Sequence, residues 1–467
     1  MTDPLILSLD LGSSVTTAAT WGGNGLRSIA RARLATTYPH PGWAEQVAED
    51  WWSTAVEACR LLPDEARAAV VSVACSSQRE TFVPATADGR PIGPAIGRAD
   101  RRATAEAGAL DESFHVLTGV VADAGTVAAK LAWIRAHEPE RLVEATQILA
   151  PRDLVVLRLT GRAVTDPTSS SHSGLLALDG AGLEGADLLP EIVPSAAIVA
   201  EALGEPAAML GIPTGTPVVA GASDRACEVL GVDAGATRPM ISLGAMASVS
   251  SPVGHVPPPA AGIVVSRGAL GGYLMEAGLS AAGSALSWLA ELTGWDPGEL
   301  TAAADDVDAG GGGIMALPWL GGARAPWWEP RAGLTFLGLA RTHTPAHLAR
   351  AIAEGLAFDA AGCLDRLAPD AVELALAGAD ASLPLWRHVL SGVTSRPVVA
   401  RRHGEAASVG AAILAGRAIG LGLDPDHLDP VESREQPFDS DVVAYAELRM
   451  RHDMVARSTI ESVGGRA

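Results

Sequence analysis

The sequence predicts an α/β protein of two related lobes with a cleft between them. Two segments more than two hundred residues apart carry that expectation, Leu7-Ser-Leu-Asp-Leu-Gly-Ser-Ser14 and Ile241-Ser-Leu-Gly-Ala-Met-Ala-Ser248. Each runs from a β-type stretch through a turn of glycine and small residues into a second β-type stretch. Such a turn can aim consecutive backbone amides at a phosphate, because glycine accepts the dihedrals and small side chains allow close approach. The same device at the start of each half implies two lobes gripping one polyphosphate. A chain of 467 residues is long enough for both.

The elements follow in order. Leu5 to about Leu34 reads as a three-stranded meander (Leu5 to Leu9, Val15 to Trp21, Leu26 to Leu34) joined by glycine-bearing turns. Ala44 to Leu62 has helical patterning, with Val47, Trp51, Val56 and Cys59 at roughly helical spacing, and Val70 to Cys75 is a fourth strand. Helices are predicted near 125–137 and Leu154 to Leu159. Pro217 to Gly221 reads as a strand and Arg225 to Leu230 as the helix after it. The chain breaks around Gly235 to Pro239, and a second strand-rich meander begins at Met240; lobes of 1–238 and 239–467 follow. The second half continues through a strand Ile314 to Leu317, a helix His347 to Leu367, a strand Glu373 to Ala377, a helix from Leu385 and a core helix Ala406 to Ile419. Beyond about Asp424 the tail is charged and reads as peripheral. The run Gly310 to Gly313 lacks a following G-K-[S/T] and reads as a turn.

Composition narrows the function classes. A net charge of −20 argues against nucleic-acid binding, which uses basic surfaces. Hydrophobic residues make up 48% and aromatics 4%, so the core is mainly Ala, Val and Leu. One lysine, Lys130, stands against thirty-three arginines. The four cysteines (Cys59, Cys75, Cys227, Cys363) form no C-x-x-C pair and read as buried thiols in a reducing compartment. The chain enters a strand without a basic and apolar leader, and no apolar run of about twenty residues suggests a membrane span. A cytoplasmic protein is expected, without membrane or nucleic-acid partners; its small-residue surfaces could support a homodimer.

From Pro41-Gly-Trp-Ala-Glu-Gln46 with Asp50-Trp-Trp52 onward, the chain resembles the FGGY family of carbohydrate kinases. The likeness continues through Ser77-Gln-Arg-Glu-Thr81, Asp100-Arg-Arg102, Lys130-Leu-Ala-Trp133, Leu159-Thr-Gly161, Thr165-Asp166, Asp224 and Glu276 to Leu289. Leu317-Pro-Trp-Leu-Gly-Gly-Ala-Arg-Ala-Pro326, Gly338-Leu339, His347-Leu348 and Glu354-Gly355 complete it. The resemblance implies ribonuclease H-like lobes of the actin and hexokinase type. It also implies ATP and Mg²⁺ in the cleft and transfer of the γ-phosphoryl to a hydroxyl of a sugar, polyol or sugar acid. Such transfer needs positioning, charge neutralisation and a base more than covalent help.

Site residues follow. Asp10 ends the first strand where a carboxylate can hold Mg²⁺, or shape an Asx turn. Gly12, Ser13 and Ser14 make the first phosphate turn, Gly244 and Ala245 the second. Asp224 follows an apolar strand; the resemblance makes it the general base, and a helix N-cap is the plainer reading. Gln78, Arg79 and Glu80 match the glycerol-kinase form of the sugar-binding segment, with Arg98, Asp100 and Arg225 completing the substrate shell. Gly283, Ser287, Gly378 and Ala379 fall where the family contacts nucleotide. Lys130 could contact ligand or brace helices, and Arg324 matches the family's Gly-Glu-Arg-x-Pro loop, with Ala323 replacing the Glu.

Departures from the family bear on substrate. Glycerol kinases carry a Trp where Arg98 stands, a Tyr where Gly125 stands, and a Gln where Arg225 stands. Glycerol is therefore not the expected substrate. The added arginines suit an acid, the space at Gly125 a bulkier ketose, or Arg98 turns aside to pair with Asp100. Ala245 replaces a phosphate-binding Thr and Asp380 a glycine of the adenosine loop. These leave open a catalytically weak homologue that binds sugar or nucleotide as a regulator.

Overall fold

A computed structural model describes residues 4–258, 260 and 262–464. Its first sheet has six strands in the spatial order Ile198–Glu201, Pro217–Ser223, Val70–Ser77, Leu5–Leu11, Val15–Gly22, Gly25–Arg33. Leu5–Leu11 pairs antiparallel with the meander on one side and parallel with Val70–Ser77 on the other; Pro217–Ser223 extends the parallel side. The second sheet repeats this plan with seven strands. Met240–Leu243 is antiparallel to Met246–Val253 and parallel to Leu374–Ala377, which is parallel to Val398–Arg401. Strands buried on both faces read as nearly continuous apolar runs, as Leu-Ile-Leu-Ser-Leu does.

Strand Pro217–Ser223 carries a register shift between Val219 and Ala222. Gly221 makes it, at φ +76°, where a Cβ would lie 1.9 Å from the Cys75 carbonyl oxygen. Only glycine fits there, and the irregularity sets the direction in which the chain leaves the sheet toward Asp224.

Several expected elements needed correction. The first helix starts at Glu49 rather than Ala44. Glu45–Gln46 is instead a short strand paired with Ala95–Ile96, and Val47 is exposed while Trp51 and Cys59 are buried. The helix Ala406–Ala418 serves the first lobe: Ala411, Leu414 and Ala415 pack with Ile6, Trp21, Ala74 and Val219 behind its sheet. It also crosses helix Asp224–Gly231 at backbone contact. A Cβ on Gly231 would meet the Ala406 carbonyl oxygen at 2.0 Å, and one on Gly410 the Cys227 carbonyl oxygen at 1.9 Å.

The tail is not peripheral. Val431–Glu435 forms the edge strand of the second sheet, and helix Asp439–Gly464 buries Tyr445, His452 and Ala456. The Tyr445 hydroxyl donates to Glu354 Oε1 (2.9 Å) and accepts from Arg350 Nη2 (2.8 Å); Glu354 also holds the Gly310 amide (2.9 Å). The glycine run is thus a structural turn, tied to the helix beneath it. Tyr445→Phe would take one hydrogen bond from each of two buried charged groups that stay paired with each other (Arg350 Nε to Glu354 Oε1, 2.8 Å), and we expect it to cost about 2 kcal/mol in urea unfolding. An unchanged midpoint would show that the tail contributes no stability here.

Among the described residues, all four cysteines are buried and free, and no helix is long and apolar enough to cross a membrane.

Candidate active site

Three parallel strands end side by side, and each delivers a polar group to the cleft. Asp10 pairs in register with Ser76, and Ser77 with Ser223, so Asp10, Ser76 and Asp224 stand at neighbouring strand ends. The Ser76 hydroxyl donates to Asp10 Oδ1. Burial pushes the Asp10 carboxyl up to about 7, and the charges of Asp224, Glu405 and Glu228 add to this. Asp224 is the first helical residue, with Ser223 at the cap position, so the N-cap reading of Asp224 does not hold. Its Oδ1 accepts from the Arg225 amide (2.7 Å) and faces Arg79 Nε (3.5 Å). Among the described residues, Oδ2 has no protein hydrogen-bond partner.

The two lobes meet over Arg79. Its Nη2 donates to Glu276 Oε1 at 2.7 Å, joining the first lobe to strand Tyr273–Ala281 of the second. Arg225 Nε lies 3.8 Å from Glu276 Oε2, while its Nη1 pairs with Glu228. Despite burial, these two guanidinium groups hold the Glu276 carboxyl down at about 2. Glu228 is hydrogen-bonded to Ser242, two residues before Gly244, so one helix links Asp224 to the second glycine turn.

Glu80 sits at φ +63°, a strained conformation for a residue with a side chain. Lys130 holds it there. The Lys130 ammonium, fully buried and pushed down to about 7 by burial, donates to the carbonyls of Glu80 and Gly97 (3.2 Å for the latter). Lys130 is therefore a brace for the segment that carries Glu80. Glu80 pairs with Arg98 Nε. Arg98 Nη1 donates to Asp123 Oδ1 (3.1 Å), which also accepts from Arg101 Nη1 (2.6 Å).

Gly125 explains the pose of Arg98. A Cβ on Gly125 would lie 2.2 Å from Arg98 Nη1, so the guanidinium occupies the room that the missing side chain leaves. No open space for a bulkier ketose remains at that spot. Arg98 also does not pair with Asp100. Asp100 is 0% exposed and holds the Ala44 amide (2.6 Å), the Arg102 amide (2.9 Å) and the Arg102 side chain, which places it in the scaffold and away from substrate. Gln78 is likewise saturated: it donates to the Gly12 carbonyl (3.2 Å) and Gln46 (3.1 Å) and accepts from Thr81 (2.9 Å). It holds the first glycine turn.

In that turn Gly12 donates to the Val15 carbonyl (3.0 Å), leaving Ser13 and Ser14 exposed. The second turn packs against the start of helix Gly283–Thr293. The Gly283 amide donates to the Gly244 carbonyl (2.9 Å) and the Ser284 hydroxyl to the Ala245 carbonyl (2.7 Å). Gly378, at φ +88°, backs onto the Leu243 carbonyl, and Ala379 is exposed beside it. The Asp380 carboxylate, pushed up by burial, lies where a Cβ on Gly283 would be, 2.3 Å from that point. Gly244, Ala245, Gly283, Gly378 and Ala379 thus converge; Ser287 is exposed about one turn along the helix.

Three participants escaped the sequence reading as site residues: His172, Asp123 and Glu276. His172 is buried 3.6 Å from Glu80 Oε1, with both ring nitrogens unpartnered. Nothing local marks it; it follows the short helix Pro167–Ser171, which Asp166 caps and Arg152 anchors. Burial, with Arg79 next in weight, pushes its imidazole down to about 4. The unfolded chain takes a proton near 6.5 and the folded chain only near 4, so this stability is full above 6.5 and lost as pH falls through that window. His172→Asn should therefore narrow its thermal-stability gap to the parent between about pH 7.5 and about pH 5. A gap that does not change would mean that folding leaves the affinity of His172 for its proton unaltered.

Comparison with known proteins adds the lineage. Residues 5–231 match the N-terminal domain of the FGGY family of carbohydrate kinases, and residues 244–419 match its C-terminal domain. The chain is 30% identical to xylulose kinase of Escherichia coli (strain K12), over 97% of this chain and 98% of that protein. In fold it is similar to a ligand-bound xylulose kinase and a gluconate kinase, both from Lactobacillus acidophilus. Each gives a TM-score of 0.91 at 21% identity, covering 99% and 100% of this chain respectively and 100% of each structure. Two glycine turns, two lobes built on one strand plan and domain matches across both halves lead to one conclusion: this chain belongs to the FGGY family of carbohydrate kinases, ATP-dependent phosphotransferases.

Proposed function

We propose that this enzyme uses Mg²⁺ and ATP to phosphorylate one hydroxyl of a polyhydroxylated small molecule other than glycerol, with Asp224 as general base. The carrying observation is the Asp224 carboxylate at a strand end beside Asp10; among the described residues Asp224 Oδ2 has no protein partner. As the substrate oxygen bonds to the γ-phosphorus, the bond to the β,γ-bridging oxygen breaks, ADP leaves, and Asp224 takes the hydroxyl proton. The turns Gly12-Ser13-Ser14 and Gly244-Ala245 offer backbone donors for the phosphates, with Gly283, Ser287, Gly378 and Ala379 beside the nucleotide.

The residues fit a magnesium ion. Asp10 stands among Asp224, Glu228 and Glu405, a local excess of negative charge that a divalent cation would relieve. Among the described residues no three metal-binding side chains converge into a cage. Mg²⁺ characteristically binds through one or two carboxylates, retaining waters and substrate phosphates. When bound, it would neutralise charge on the phosphates.

ADP release from ATP, measured with and without Mg²⁺ across ketoses, polyols and aldonic acids, tests the reading. One strong substrate, dependent on Mg²⁺, is expected; nucleotide binding without turnover on any substrate would favour a regulatory homologue instead.

A further inference from the structure

The far end of the substrate site, around Arg98, holds more positive than negative charge. Arg98, Arg101 and Arg324 gather there around two carboxylates, Glu80 and Asp123. Asp123 Oδ1 already takes Arg98, Arg101 and the Gly125 amide (2.7 Å). Arg324 comes from the opposite lobe, in the loop after strand Met315–Leu317, and lies over Trp328 (5.6 Å to the ring centroid). Its Nε is buried without a hydrogen-bond partner. Among the described residues Arg98 Nη2 also lacks a protein partner, while the side chain is 37% exposed. Guanidinium groups only donate. A neutral hydroxyl could accept from them but would leave the excess charge in place; a carboxylate accepts from two donors at once and cancels it.

Resting on the kinase reading above, we propose that the substrate is a polyhydroxylated monocarboxylate of the aldonate type, its carboxylate received between Arg98 and Arg324. Gly125 is the specificity-determining partner of Arg98, since any side chain there would expel the guanidinium. Gly125 is outside the left-handed region, so no dihedral strain opposes alanine; its Cβ would press on the Arg98 guanidinium and also on the backbone carbonyl oxygen of Arg98, 2.6 Å away. The opposite end, with Arg79 and Arg225 set among Asp224, Glu228 and Glu276, carries the reverse excess and would receive hydroxyls, leaving the acid no place beside Asp224.

The experiment compares kcat/KM for aldonates with that for polyols and ketoses of equal carbon number, alongside calorimetric binding of the same compounds to the full chain. Aldonates should be preferred. Arg98→Gln and Gly125→Ala should each lower the acid-to-neutral ratio about 10- to 100-fold, chiefly through KM. The double variant should show the acid-to-neutral ratio of Arg98→Gln alone, because the remaining contact of the alanine Cβ with the carbonyl of residue 98 does not distinguish charged from neutral substrates. Turnover of a neutral sugar with no preference for acids, or a ratio that Arg98→Gln leaves unchanged, would overturn the acid assignment and leave the kinase standing. Without turnover of any compound, aldonate binding that Arg98→Gln abolishes would support the acid site and count against the kinase reading. No aldonate binding would overturn it.

Discussion

Asp224→Asn should lower kcat by about 10²- to 10⁴-fold while the protein folds as before. The amide keeps the size of the side chain and can still accept from the Arg225 amide at 2.7 Å, so the start of the helix is preserved. It loses the charge that attracts Arg79 and the lone pair that takes the proton. Substrate binding should change little, because KM for the acceptor depends mainly on groups farther into the site. The measurement is steady-state ADP release with circular dichroism as the fold control. Turnover within tenfold of the parent would remove Asp224 from proton transfer and leave it a role in placing Arg79 alone.

Glu276→Gln should have the second-largest effect, although Glu276 touches neither reacting atom. Arg79 is shared: Glu276 takes it at 2.7 Å from the second lobe and Asp224 at 3.5 Å from the first. With the Glu276 charge removed, Asp224 becomes the main counter-charge of the guanidinium, with Glu80 behind it. A carboxylate so held releases its electron pair less readily, so kcat should fall about 10- to 100-fold. Glu276 also forms the contact between lobes at the cleft, so KM should rise as closure weakens. Glu276→Asp, which keeps the charge, should restore much of kcat. A variant that loses stability but keeps its kcat would show that Glu276 only packs the lobes together.

Both effects depend on residues brought together from distant parts of the chain, and the sequence revealed them unequally. Asp10 and Asp224 were legible because each ends an apolar strand before a turn or helix, a local pattern set by backbone chemistry. The two glycine turns were legible for the same reason. Arg98 and Gly125 were legible as departures, but not as a pair: only the 2.2 Å approach joins them. Asp100 carries the same charge as a substrate-binding acid, and only its complete burial against Arg102 and Ala44 assigns it to the scaffold. His172 had no local signal, because its importance comes from burial beside Glu80.

The sequence by itself determined the fold class, the matching turns of the two halves and the strand-end positions of Asp10 and Asp224, since strand periodicity, glycine dihedrals and strand-end polarity are properties of a few consecutive residues. Tertiary structure alone decided that helix Ala406–Ala418 closes the first lobe, that the tail completes the second sheet, and that Glu276 reaches Arg79 across 197 positions. The reason is physical. A charge in sequence has no partner until packing removes water from around it, and the cost of leaving it unpaired then selects the partner.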